Sequence, residues 1–186
     1  MNPSTQDFID AIKKSGAKKA IVLPNNGNIV MAAKQAAEVS DIPVGIVPTK
    51  TISQGLTAML SFNPDASVDE NVDAMTEDLD TVVSGEVTQA TRDTEIDEVE
   101  IHKNDYLGIV DGKIKVDNAD LIKTTVEMIE KMLDEDSEII TIMFGRDTSE
   151  AQAQEVVDQL EDKHDDLEFE IHDGGQPVYH FLVSVE

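Results

Sequence analysis

Between residues 18 and 51 the chain reads KKAIVLPNNGNIVMAAKQAAEVSDIPVGIVPTKT, and this stretch restricts the possible folds more than any other. Two β-branched runs, 20–23 and 44–47, flank an alanine-rich segment of helical length, so the apolar period passes from strand to helix and back. Strand, polar loop, helix, strand, polar loop is the unit of a parallel α/β sheet. In such a sheet PNNGN (24–28) and PTKT (48–51) lie side by side at the carboxyl ends of neighbouring strands, the edge where these folds keep their sites.

The flanking sequence extends the pattern. Ser4 or Thr5 caps a first helix carrying Phe8, Ile9 and Ile12, which Gly16 ends. Asn28 is placed to cap the helix 29–39, with Gly27 supplying a permissive turn. Thr51 caps a third helix holding Ile52, Leu56, Met59 and Leu60. Ser67 and Glu70 form a capping box for a fourth, with Val68, Val72, Met75, Leu79 and Val82 as its apolar stripe and Asp69, Glu70, Asp73, Glu77, Asp78 and Asp80 on its other face. Gly85 is expected to end that helix, dividing the chain into lobes 1–84 and 85–186. Short strands follow at 87–91, 96–101, 106–110 and 113–116, the last pair joined by an Asp111-Gly112 turn. A helix over 119–133, an apolar strand 139–144, a GRDTS loop, a helix 151–160 and strands 167–171 and 178–183 complete a second α/β lobe of mixed sheet.

Charge narrows the partners. There are 39 acidic residues against 14 basic ones, a formal net charge of −25. Such a surface repels nucleic acid and anionic lipid headgroups, and it speeds encounter with a basic protein; the same excess also serves plain solubility or salt adaptation. With no Cys there are no disulfides, thiolate metal sites or cysteine nucleophiles. The first residues, MNPSTQDFID, lack the regions of a signal peptide and no apolar run approaches a membrane span, so a soluble, cytoplasmic protein is expected.

The motifs of common enzymes are missing. Neither GxGxxG nor GxxxxGK[ST] occurs, so nucleotide binding of the usual kind is not expected. His102, His164, His172 and His180 make no metal-binding spacing, and no metal is expected. DNAD (117–120) lacks the glycine and distant Glu of a calcium loop. Asn25, Asn26, Asn28, Thr49, Lys50 and Thr51 are candidates for a loop platform, able either to cradle an anion at helix starts or simply to cap them. His172, Asp173 and Gln176, in IHDGGQPVYH, are candidates for a second edge, where His172 suits an acid/base or phosphoryl acceptor or a plain turn histidine.

Seven ordered segments, VLPNNGNI, IVPTKTISQG, FNPDAS, RDT, DYLGIVDGKI, DEDSEIITIMFG and HDGGQPVYHFLVSVE, resemble the carboxyl-terminal domain of the bacterial fatty acid kinase A (FakA) subunits over nearly the whole chain. The resemblance implies a two-lobed DegV-like fold. It also implies that nucleotide and magnesium belong to a separate amino-terminal domain related to dihydroxyacetone kinases, whose motifs are absent here, so this fragment carries no cofactor. In that family the enzyme phosphorylates the carboxylate of a fatty acid held by a second protein, FakB, and the acyl phosphate feeds phospholipid synthesis.

The implied role is therefore a docking domain without chemistry of its own that binds fatty-acid-loaded FakB, with the kinase and middle domains of the same protein as further partners. The alternative is a DegV-like binder that holds a fatty acid between its lobes. HDGG (172–175) lies where the DegV family has a histidine-glycine turn near the fatty acid carboxylate, while TKTISQG (49–55) is only loosely similar to that family's serine and threonine loops.

Overall fold

The computed structural model describes residues 2–96 and 98–186, which form two compact units divided between Val82 and Val83. In the first, helix α1 (Thr5–Ser15) starts at a Ser4–Asp7 capping box and stops at Gly16, whose φ of 64° suits glycine. Strand β1 (Ala20–Val22) pairs in parallel with β2 (Val44–Ile46), and helix α2 (Val30–Glu38) links them. Helices α3 (Ile52–Leu60) and α4 (Val68–Glu77) follow, and α4 runs into a short 3-10 turn, Asp78–Asp80. A Cβ on Gly45 would fall 2.4 Å from Val72 Cγ2 and 2.6 Å from Val68 Cγ1, so glycine lets α4 press onto β2. Val47, Ala58, Met75 and Leu79 form the buried core beside Ile21, Leu23 and Val72.

Two expectations for this unit are corrected, and the orientation of α3, which the sequence leaves open, is seen. Asn28 does not cap α2; a 3-10 turn, Gly27–Ile29, intervenes, and its cap is Asn26, whose side-chain oxygen accepts the Asn28 N–H at 2.9 Å. An Asx turn reaching two residues on is tighter than a helical cap and moves the start of α2 to Val30. The left-handed residue of the loop is Asn25 (φ 55°) and not Gly27, since asparagine tolerates that region. Finally, α3 sits with its apolar stripe outward: Ser53, Gly55, Thr57 and Ala58 are buried, while Ile52, Leu56, Met59 and Leu60 are exposed. Gly55 explains the choice of face, because a Cβ there would lie 2.2 Å from Asn25 Oδ1.

The second unit is built on a six-stranded sheet in the order β7-β6-β3-β10-β8-β9. Its strands are β3 (Val83–Gln89), β6 (Tyr106–Val110), β7 (Lys113–Asn118), β8 (Ile139–Phe144), β9 (Glu168–Asp173) and β10 (Phe181–Val185). Within this sheet only β8 and β9 pair in parallel, across helix α6 (Glu150–Glu161). Helix α5 (Leu121–Glu130), capped by Asp120, packs on α6 and on the sheet. The turn between β6 and β7 has Asp111 and Gly112 at φ 46° and 79°, the twisted two-residue hairpin turn that Asp-Gly favours. Met128, Ile129, Ile140, Ile142, Leu160, Phe181 and Val183 centre the core.

Here too the sequence misleads in places. Gly85 does not end a helix; it lies inside β3, where a Cβ would meet Met132 Sδ at 2.6 Å, so its role is close approach of α5. Residues 96–101 are not one strand: β4 (Thr94–Ile96) and β5 (Val99–Ile101) pair antiparallel, with Glu98 at φ 65°, and Asp97 lies outside the described residues. The last strand starts at Phe181 because Val178 turns the chain at φ 76°. No helix among the described residues is long and apolar enough to cross a membrane.

Candidate functional site

Parallel pairing of β1 and β2 brings the two loops of the first unit together. The Asn25 N–H donates to Thr49 Oγ1 at 2.9 Å, and the Thr49 hydroxyl donates to Asn25 Oδ1 at 2.9 Å. Thr49 is fully buried, so this reciprocal pair is shielded from water and fixes one loop against the other. Asn26 closes its Asx turn onto exposed Asn28, and its amide also reaches Asn2 Oδ1 at 3.4 Å. Lys50 projects from the surface, its N–H donating to Gln54 Oε1 at 2.8 Å, while Thr51 caps α3 by accepting the Gln54 N–H at 3.1 Å.

The amide groups of Asn25, Asn28 and Gln54 are thus taken by side chains of the loops, that of Lys50 by the Gln54 side chain of α3, and those of Ile29 and Thr49 by backbone carbonyls. These six amides serve capping and loop bracing, the plainer of the two uses open to this platform, while an anion cradle would need amide donors pointing outward.

His172, Asp173 and Gln176 belong to the second unit. His172 is exposed, its Nε2 3.2 Å from Glu170 Oε2. Asp173 Oδ1 accepts the Gly175 N–H at 3.0 Å, closing the glycine turn. Gln176 does more structural work: its Nε2 donates to the Met143 carbonyl at 3.0 Å, its own carbonyl accepts the Arg146 N–H at 3.0 Å, and its Oε1 is buried without a partner. Gly174 makes room for it, since a Cβ there would stand 2.0 Å from that oxygen.

Two clusters had no sequence signal, because both depend on pairing between distant strands. In the first, burial pushes the Glu86 carboxyl up, only partly opposed by the Tyr179 hydroxyl that donates to it. Burial raises Tyr179 as well and lowers His180, whose ring stands edge-on to Tyr106 with centroids 5.1 Å apart. In the second, His102 Nδ1 lies 2.8 Å from Asp117 Oδ2, and that hydrogen bond raises the imidazole. Asp105 brings a third ligating atom within 4.8 Å, a trio that could hold a cation, although Asp117 already accepts from the His102 N–H and ring.

Glu86 gives a pH prediction. A carboxyl whose folded value is raised contributes stability that is present below the ordinary carboxylate range and lost as pH rises through the folded value. Glu86→Gln keeps an acceptor for Tyr179 without the buried charge, so it is expected to raise Tm by about 2 °C near pH 8, with a smaller gain near pH 5. A gain independent of pH, measured by differential scanning calorimetry, would contradict the buried-charge account.

A parallel first sheet and a mixed second sheet, each layered with helices, make an α/β protein whose fold is similar to that of DegV-family proteins. Among solved structures the chain is similar to the Streptococcus pneumoniae fatty acid kinase B3 protein loaded with linoleic acid, with a TM-score of 0.65 and 12% identity over 99% of this chain and 76% of that one. It is also similar to a DegV lipid-binding protein from Thermotoga maritima, with a TM-score of 0.64 and 15% identity over 99% and 76%. At these identities the likeness is one of fold. By sequence, the chain belongs to the FakA-like C-terminal family, the carboxyl-terminal part of fatty acid kinase A subunits and their like, which it matches over residues 1–186. An uncharacterized protein of Staphylococcus aureus strain USA300 is 42% identical over 186 residues, all of this chain and 34% of the relative, so the chain spans about a third of the curated relatives it matches.

Proposed function

We propose that this chain is the docking domain of a fatty acid kinase A subunit, which binds a fatty-acid-loaded FakB protein so that an ATP- and magnesium-binding domain elsewhere in the longer protein can phosphorylate the acyl carboxylate. Membership of the FakA-like family along the full chain carries this reading. The absence of phosphate-loop motifs and the net charge of −25 support it, the first by leaving the chemistry to another domain and the second by favouring a basic partner face. The domain itself supplies no catalytic residue.

Calorimetric titration of the domain with fatty-acid-loaded FakB at low and high salt tests the proposal. One-to-one binding that weakens with salt is expected, because screening acts on the complementary fields. Absence of binding at either salt would overturn it. A second reading, in which the domain itself holds a fatty acid, draws on its likeness in fold to a protein loaded with linoleic acid. It expects delipidated domain to take up labelled fatty acid, and no uptake would end it.

A further inference from the structure

The outward stripe of α3 is the feature of the molecule that folding alone does not account for. Ile52, Leu56, Met59, Leu60 and, just beyond the helix, Phe62 are between 40% and 80% exposed. Their spacing is that of one helix face, the pattern that ordinarily seeks a core. Contiguous apolar surface of this kind marks interaction sites. A cavity of about 270 Å³ opens beside it, lined by Ile21, Leu23, Met59, Phe62, Pro64 and Met75, so two residues of the stripe also form its wall. That volume falls just below the roughly 300–1,000 Å³ of small-molecule clefts, a size suited to a single anchoring side chain of a protein partner.

The surroundings of the stripe say which partner. Residues 51–82 contain seven carboxylates and no Lys, Arg or His. The Asp78–Asp80 turn packs against α3, and the Ser61 hydroxyl at the end of the helix donates to Asp78 Oδ2. Asp65, Asp73, Glu77 and Asp80 are exposed on the adjoining loop, helix and turn. Lys19, at the cavity wall, is committed to the Ala66 carbonyl at 2.8 Å. A second copy of this chain would bring like against like, acidic rim on acidic rim across a two-fold axis, which costs affinity. An anionic membrane is repelled for the same reason.

Resting on the docking reading above, we infer that the outer face of α3 is the surface that binds FakB, and that FakB meets it with an apolar anchor surrounded by basic side chains. The anchor enters the cavity beside Met59 and Phe62, and the basic rim faces the carboxylates of residues 65–80.

The test compares the domain with its Leu56→Asp and Leu60→Asp variants by surface plasmon resonance against fatty-acid-loaded FakB. Leu60→Ser serves as a milder variant should a charge disturb the helix, and circular dichroism checks each fold. Binding of the Asp variants is expected to weaken by about 100-fold, chiefly through faster dissociation. Asp65→Asn with Asp80→Asn should instead slow association and flatten its salt dependence. Val39→Asp, an exposed apolar residue at the end of another helix, should bind as the parent does. If the parent binds and the α3 variants bind equally well, the inference fails while the docking role stands. If the parent does not bind at all, both fall. A parent that is dimeric in sedimentation and made monomeric by Leu60→Asp would give the face to a second copy and overturn the inference.

Discussion

Phe181→Ala is expected to destabilise the second unit by about 3–5 kcal/mol, the usual cost of emptying an aromatic site in a core that cannot collapse around it. Phe181 is fully buried on β10, opposite Val87 of β3 on one side and Phe144 of β8 on the other, so neighbours fixed in a ladder surround the space it would leave. Urea unfolding followed by tyrosine fluorescence reads the effect, because both tyrosines of the chain, Tyr106 and Tyr179, lie in this unit. Phe181→Leu should recover most of the loss. A cost below about 1 kcal/mol for alanine would mean that the site relaxes freely, contrary to close packing.

The second large effect is expected at Thr49. Replacing it with valine keeps the shape and removes the hydroxyl, which leaves the Asn25 N–H without its acceptor and Asn25 Oδ1 without its donor. Each orphaned group costs about 1–3 kcal/mol where water cannot reach it. Thr49→Ser retains the hydroxyl and loses only a methyl group. The valine variant should therefore unfold at clearly lower denaturant than the serine variant, with faster hydrogen exchange at the Asn25 amide. Equal behaviour of the two would show that packing of the methyl, and not the reciprocal hydrogen bonds, joins the loops.

Much of the fold is readable because it is written in local chemistry. The cap at Ser4 or Thr5, the Ser67–Glu70 capping box and the Asp111-Gly112 turn depend on residues within three positions of one another, and the structure has all three, the first at Ser4. The adjacency of the PNNGN and PTKT loops is readable for a different reason: once two strands are parallel, their carboxyl ends coincide. Helical periodicity, by contrast, reveals that α3 has an apolar face without saying that the face points inward, and the contact of Gly55 with Asn25 makes the choice. Gly85 reads as a breaker because glycine in a sequence looks the same whether it frees the backbone or makes room for a methionine. The Glu86–Tyr179 and His102–Asp117 pairs need strand register across many residues, which no short window holds.

The strand order of the second unit has a consequence for the route by which it folds. The β3, β6 and β7 meander and the β8–α6–β9 unit share no ladder of their own among the described residues, and β10, the last strand of the unit to be made, is hydrogen-bonded to both. Neither half can close its sheet until that strand arrives. Each must wait with an open inner edge, so the unit is expected to fold late and cooperatively, at the slow pace of distant strand pairing. While it waits, those two edges are the places where the chain is most open to pairing with a neighbour.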